Sequence, residues 1–342
     1  MLSEADLRIA HALQEAPRAP WSTLASALGT DARTLIRRYE QLREAGHIRV
    51  TSTLGPRLLE RVYWAHLRIR TLPGQALQAA RQVAAWPQAG LVRVADGAFE
   101  VYALLMGRDA AAPWHDAQEG IAHIREIVQA DVYTIVEALD IGLSERLDVL
   151  SRSELGKLRT PRDPATTTLV DSTRAKDFDL ELWHQLNLDG RADITTLADR
   201  LARSPSTVSR RITRLQTAGY LDFLTMIADP VAPRSRSVFL WCRIADDELP
   251  ALRSRHSSLH WIGLLTIMTG RSNVMLLANV TSMAALDTVL SELRSICPSL
   301  EVHETQLSTL AVKRHTRLMT DDERWTDEVI TVYPDLRRWV ED

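Results

Sequence analysis

One stretch of this 342-residue chain is written twice. Leu24-Ala25-Ser26-Ala27-Leu28 returns 173 positions later as Leu197-Ala198-Asp199-Arg200-Leu201, and Thr34, Arg37, Arg38, Leu42, Ala45 and Gly46 return as Thr207, Arg210, Arg211, Leu215, Ala218 and Gly219. A repeat this long is one supersecondary unit used two times. Whatever plan the first half follows, the second half follows too.

With 45% hydrophobic residues the length supports several cores, about two small domains per copy. The formal net charge is only -3, so a nucleic-acid reading must rest on local charge and not on overall basicity. Cys242 and Cys297 stand far apart without CxxC or Cys/His spacing. They suit buried packing in a reducing compartment and offer neither a disulfide framework nor a zinc site. No apolar run approaches the roughly 18 residues of a membrane span, and no signal core follows the N-terminus. A cytoplasmic protein with no membrane partner is expected.

Residues 1–52 read as three short helices. Ser3 caps the first, whose Leu7, Ala10 and Leu13 keep helical spacing until Pro17 and Pro20 stop it. A second holds Leu24, Ala25 and Leu28 and ends at Gly29. A third, capped by Thr30 or Asp31, carries Leu35, Tyr39 and Leu42 on one face and closes at Gly46. Residues 58–143 then change to strand patterning: Val62 to Ile69, a helix over Gln75 to Ala85, strands over Leu91 to Val94 and Phe99 to Leu105, a helix from Trp114 to Val128, and a strand from Val132 to Ala138. That βαββαβ order predicts a ferredoxin-like domain. Residues 144–175, rich in Ser, Thr, Arg, Asp and Pro with Pro161 and Pro164 barring a long helix, read as a linker. Residues 176–226 repeat the three helices, and residues 235–317 repeat the sheet pattern around a hairpin of Trp261 to Met268 and Val274 to Val280. The expected class is α+β: two helix-turn-helix three-helix domains, plain or winged, alternating with two ferredoxin-like domains.

A helix-turn-helix needs a bracing helix, a tight turn and a second helix whose exposed face reaches bases and phosphates. In the second copy Ser204 and Pro205 start that helix, Val208, Ile212 and Leu215 form its buried stripe, and Ser206, Thr207, Ser209, Arg210, Arg211, Thr213 and Arg214 remain. Five arginines against one aspartate between Ile194 and Gln216 give a local charge of +4 in a net-negative chain. That contrast is the footprint expected of phosphate contacts. Ser204, Ser206, Thr207, Ser209, Arg210, Arg211 and Arg214 are the candidate contacts here, with Arg33, Thr34, Arg37 and Arg38 in the first copy, where the local charge is +2. Arginines on one exposed helix face also merely solvate it; Thr-x-x-Arg-Arg twice at one place is what favours a reader. Tyr39 in place of Ile212, and Gly29 at the turn where the second copy has Arg203, make the two readers unequal.

Phe178-Asp179-x-x-Leu182-Trp183-x-x-Leu186-x-x-Asp189-Gly190-Arg191, then Leu197-Ala198-x-x-Leu201, Ser204-x-x-Thr207-Val208-x-x-Arg211-Ile212-x-x-Leu215 and Ala218-Gly219-Tyr220-Leu221, resemble the DNA-binding domain of Lrp/AsnC (feast/famine) transcription regulators. The sheet segment resembles that family's ligand-responsive dimerisation domain, including Thr269-Gly270-x-x-Asn273. The resemblance implies a sequence-specific regulator binding double-stranded DNA, with the fused chain acting as a pseudo-dimer on an asymmetric, near-palindromic site. It also implies an amino-acid or other small-molecule effector and homo-oligomers formed through the ferredoxin-like domains. The family's Gly-x-x-Asp turn becomes Gly97-Ala98-Phe99-Glu100 here and Gly270 to Asn273 in the second copy, so Gly97, Glu100, Gly270 and Asn273 are candidate effector residues. These residues also serve to close a hairpin turn.

Siroheme decarboxylases resemble the same family, and that alternative implies a Tyr/Arg/His-rich strand. Leu91 to Asp96 and Leu265 to Thr269 offer only Arg93. With no other catalytic motif present, the chain is expected not to be an enzyme and to need no cofactor or metal. A small-molecule sensor with weak DNA affinity is the third reading. In the acidic tail, residues 318–342, Trp325, Tyr333 and Trp339 either anchor a C-terminal helix on the sheet domain or hold carboxylates against an arginine face.

Overall fold

The repeated helix-turn-helix signatures and the repeated sheet signatures sort into separate bodies. The computed structural model describes residues 2–141, 147–158, 178–233 and 236–330. It divides into a helical unit, Leu2–Val62 with Leu147–Ala228 and Arg324–Asp342, and a sheet unit, Tyr63–Arg146 with Asp229–Glu323.

In the helical unit, Ser3 caps α1 (Glu4–Glu15) through a reciprocal box with Asp6, as its sequence demands. Helix α2 (Trp21–Leu28) ends at Gly29, whose φ of 66° lets the chain turn into α3 (Ala32–Glu44). The second copy supplies α8 (Asp179–Leu188), α9 (Ile194–Arg200) and α10 (Pro205–Thr217). At the corresponding turn the left-handed residue is Ala202, at φ 50°, so the counterpart of Gly29 is Ala202 and not Arg203.

Each third helix runs into a strand outside the expected pattern. β1 (Ile48–Leu54) and β6 (Leu221–Ile227) pair antiparallel over their whole length, from Ile48 opposite Ile227 to Leu54 opposite Leu221. Both readers therefore carry a wing, and the two wings are one ribbon. Helix α4 (Pro56–Leu59) follows β1. The presumed linker is not featureless: α7 (Arg152–Leu158) packs on α1 and α2, with the Val149 and Leu150 amides donating to His11 Nδ1. Tail residue Trp325 is buried in a strand, β12 (Trp325–Val329), and not in a helix; its amide donates to Gly46 and it lies against α8. Pro161, Pro164, Tyr333 and Trp339 lie outside the described residues.

The sheet unit follows the expected order twice. The first copy gives β2 (Tyr63–Thr71), α5 (Ala76–Ala84), β3 (Ala89–Ala95), β4 (Val101–Gly107), α6 (Ala112–Ile121) and β5 (Ile127–Asp140). The second gives β7 (Arg236–Arg243), α11 (Leu249–Arg255), β8 (Ile262–Met268), β9 (Val274–Val280), α12 (Leu286–Ile296) and β10 (Glu301–Arg314), followed by β11 (Arg317–Met319). Helix α6 stops earlier than expected, at Ile121, and the β-branched Ile127 and Val128 begin the next strand. Each copy has the ferredoxin-like order β3-β4-β2-β5 or β8-β9-β7-β10.

The fourth strands, 14 residues each, join the copies. β5 pairs with its own β2 up to Thr134 and then with β8, while β10 pairs with its own β7 up to Leu307 and then with β3. Eight strands thus close a circuit, in which β10 covers the outer edge of β3 and β5 covers that of β8. Leu67, Ile69, Val92, Val101 and Leu105 face α5 and α6 in one core; Val238, Leu240, Leu265, Val274 and Leu276 face α11 and α12 in the other. Fully burying such side chains is worth about 1.5–3 kcal/mol each. Cys242 and Cys297 are buried free thiols in the second core, as expected.

Candidate nucleic-acid interface

Helix α10 begins at Ser204, whose hydroxyl accepts the Thr207 amide at 3.2 Å, with Pro205 at the first helical position. Its buried face holds Val208, Ile212 and Leu215, and also Arg211. The Arg211 guanidinium donates to both carboxylate oxygens of Asp179, one at 2.8 Å, and is 3% exposed. Arg211 is thereby removed from the solvent face on which the sequence put it. Ser206, Ser209, Arg210, Thr213 and Arg214 are exposed, with Thr207 half-buried. No carboxylate lies on this helix.

The first copy repeats the arrangement in weaker form. Asp31 caps α3 by accepting the Thr34 amide at 2.8 Å, and Leu35, Tyr39 and Leu42 are buried. Arg38, the counterpart of Arg211, donates to Asp6 at 2.5 Å and to Ser3 Oγ at 2.9 Å. Burial opposes the Asp6 charge, but Arg38 and Ser3 hold its carboxyl below its ordinary value. In both copies the second arginine of Thr-x-x-Arg-Arg braces the reader from behind, and the first, Arg37 or Arg210, is exposed. Arg33, Ile36, Gln41 and Glu44 complete the exposed face of α3, while Arg43 is tied to Glu40 at 2.7 Å. The cationic advantage belongs to α10.

The two readers are joined directly, which the sequence did not reveal. Helix α1 packs on β6 and α8 packs on β1, each on the other copy's wing. Thr225 Oγ1 donates to Leu13 O at 2.7 Å, and Ser52 Oγ to Asn187 Oδ1 at 2.9 Å. Gly190 sits so close to the Val50–Thr51 backbone that a Cβ would stand 2.8 Å away. Arg18 donates to the carbonyls of Gly190 and Ala192, and Arg191, at the same place in the repeat, donates to those of Pro17 and Ala19. Arg191 also lies 3.8 Å from the Trp21 ring centre; burial draws it down to about 10, so it stays charged at neutral pH.

The candidate effector residues are occupied by the fold. Glu100 Oε2 accepts the Thr71 amide at 2.9 Å, and Asn273 accepts the Ile244 amide at 2.9 Å while donating to the Ile244 carbonyl at 2.8 Å. Each clamps the end of the first strand of its own domain. Gly97 packs against Gln306 and Gly270 against Tyr133, residues at matching places in β10 and β5.

A buried polar layer between the sheets escaped the sequence reading, which inspected β3 and β8 alone. Copy one contributes His66, Arg68, Arg93 and Tyr102; copy two has Phe239, Trp241, Thr266 and Met275 at those places. His66 lies 2.8 Å from Tyr102 Oη and 2.7 Å from Thr266 Oγ1, and burial pushes it down to about 3, so it is neutral. Arg68 stands 4.3 Å from both the Phe99 and Trp241 ring centres and donates to Glu304 at 2.5 Å. Asp229 accepts from Arg93 at 2.7 Å and from Arg314 at 2.5 Å. Among the described residues no His, Cys, Asp and Glu group is arranged to hold a metal ion, and no helix is long and apolar enough to cross a membrane.

Comparison with known proteins yields two family matches. Residues 2–43 match an AsnC-type helix-turn-helix domain, and residues 177–222 match a winged helix-turn-helix DNA-binding domain. No curated protein sequence matches the chain. Among solved structures, siroheme decarboxylase NirDL in co-complex with an iron-uroporphyrin III analogue is similar at TM-score 0.59 and 14% identity, over 99% of this chain and 98% of that one. A second structure of siroheme decarboxylase NirDL gives TM-score 0.56, 15% identity and coverage of 99% and 97%. AsnC of E. coli matches over 40% of this chain and 93% of its own, at 20% identity and TM-score 0.33.

These findings correct one expectation. The chain was expected not to be an enzyme, yet two structures similar to it over 99% of its length are both of a siroheme decarboxylase. His66 on β2, Tyr102 on β4 and Tyr133 on β5 are the histidine and tyrosines that β3 and β8 lack.

Proposed function

We propose that this chain is a sequence-specific DNA-binding regulator whose two helix-turn-helix units address the unequal halves of one site. The observation that carries this reading is α10, a capped helix inside a matched DNA-binding domain that exposes Ser206, Ser209, Arg210, Thr213 and Arg214 and carries no carboxylate of its own. Arginine and serine on such a face give base-edge and phosphate contacts, and one bidentate arginine–guanine pair discriminates by about 1–3 kcal/mol. Helix α3, with Arg33 and Arg37 beside Glu44, is the weaker half. An amino-acid or other small-molecule effector belongs to this reading only through groups other than Glu100 and Asn273, which are engaged. Association between chains would use surfaces other than the β3 and β8 edges, which β10 and β5 already cover within one chain. The test is selection of bound duplexes from random DNA, followed by affinity measured against salt. Two similar but unequal half-sites and a steep salt dependence are expected; absence of any enriched sequence rejects the reading.

The end-to-end likeness favours a second reading, a decarboxylase acting on a siroheme-class tetrapyrrole. The layer around His66 is filled by the Tyr102, Phe239 and Trp241 rings, with Tyr102 and Phe239 only 4.5 Å apart, so a tetrapyrrole there would have to displace them. Incubation of the purified chain with siroheme under reducing conditions decides it: carbon dioxide release with the tetrapyrrole lighter by the mass of that carbon dioxide supports catalysis, and unchanged siroheme rejects it.

A further inference from the structure

The helical unit contains a joint whose function the DNA reading alone does not explain. Arg18 and Arg191 occupy equivalent places in the repeat, and each reaches across to the backbone of the turn that carries the other: Arg18 to Gly190 and Ala192, Arg191 to Pro17 and Ala19. The clasp is reciprocal, and both guanidinium groups are also stacked, Arg191 on Trp21 at 3.8 Å and Arg18 on Phe223 at 5.1 Å. Around it lie the seven-residue β1–β6 ladder, the crossed packing of α1 on β6 and α8 on β1, and buried bonds from Thr225, Thr51 and Ser52. None of these contacts involves the sheet domains.

We propose that this clasp sets the reader geometry, so that the chain recognises only DNA sites with one fixed separation between half-sites. The inference rests on the DNA-binding reading and sharpens it. Readers hung on flexible linkers could follow an altered spacing; readers braced by fork-shaped guanidinium groups against four carbonyls cannot. One inserted base pair advances the second half-site by about 3.4 Å and rotates it by about 34°. Two insertions carry the target of α10 out of reach while α3 stays engaged.

The experiment uses the full chain. Sites are selected from random duplex DNA, and the preferred site is then lengthened by two base pairs between its halves. One common separation and at least a tenfold loss of affinity are expected. Several separations enriched alike, or a lengthened site bound within twofold, overturn the fixed spacing and leave the DNA reading standing. No enrichment at all defeats the DNA reading. The joint is measured independently with spin labels at Glu44→Cys and Thr217→Cys, one on each recognition helix, since native Cys242 and Cys297 are buried. A single narrow distance distribution is expected, broadened in the Arg18→Lys, Arg191→Lys chain, which keeps the charges and loses the forks. A broad distribution in the parent chain overturns the clasp.

Discussion

Arg211 of the second recognition helix and Asp179 of the helix beneath it form a bidentate ion pair inside the protein, with nitrogen–oxygen distances of 2.8 and 2.5 Å. Arg210, one residue earlier and about 100° round the helix, is exposed. Adjacent arginines of one motif thus stand in opposite environments. Arg211→Ala leaves Asp179 as an uncompensated buried charge and is expected to cost about 3–5 kcal/mol in urea unfolding. Arg210→Ala is expected to change stability by no more than about 0.5 kcal/mol while lowering DNA affinity severalfold. Equal stability losses in the two variants would refute this division.

His66 makes the sheet unit acid-sensitive. Its folded value, about 3, lies below its ordinary 6.5, so the unfolded chain binds the extra proton first. Stability is full above about pH 6.5 and falls as pH drops toward 3. His66→Phe is expected to flatten part of that slope, the remainder coming from His315, which burial shifts the same way. At neutral pH the same variant should cost about 1–3 kcal/mol, because Tyr102 and Thr266 lose their partner. Urea midpoints between pH 4 and 8 supply the comparison.

Lys313 is fully enclosed beneath Trp86, and its amine donates to the Trp86 carbonyl at 2.8 Å. Burial draws it from 10.5 down to about 7. Between those values the unfolded chain holds a proton that the folded chain does not, so stability rises with pH across that interval. Lys313→Met is expected to abolish the rise and to stabilise the protein at pH 6 by at least about 1 kcal/mol. A parent chain with no slope between pH 7 and 10 would contradict this.

Ala202 holds a left-handed backbone, φ 50°, at the turn where the first copy has Gly29. The conformation costs an L-residue roughly 1–2 kcal/mol. Because Gly also gains entropy when unfolded, Ala202→Gly is expected to raise stability by only about 0.5–1 kcal/mol. Ala202→Val should lower it. Thermal melts of the two variants should move in opposite directions.

Much of the fold was legible in single-copy patterns. The alternation in β2, the Pro73-Gly74 turn, and the caps at Ser3, Asp31 and Ser204 are local and act wherever the segment lies. The β1–β6 ribbon was not legible. Ile48–Leu54 is buried throughout because α8 of the other copy covers it, which its own sequence does not record. The sequence also suggested only seven residues of β5; the five it missed before Val132 lie in the segment paired with β2 of the same copy, and the two after Ala138 lie in the segment paired with β8 of the other. In the reader, Arg211 could have been placed correctly, since it lies three residues after Val208 and four before Leu215, on the buried stripe. Glu100 and Asn273 could not, because their partners Thr71 and Ile244 are 29 residues away in the chain.

The shared strands β5 and β10 make the duplication difficult to undo. A deletion that removed either half would strip the survivor of the strand segment on its β3 or β8 edge and leave backbone amides and carbonyls open to any passing chain. Gene loss, the usual fate of a redundant copy, would therefore produce an aggregation-prone fragment. Each half is free to change its surface chemistry, but neither is free to leave.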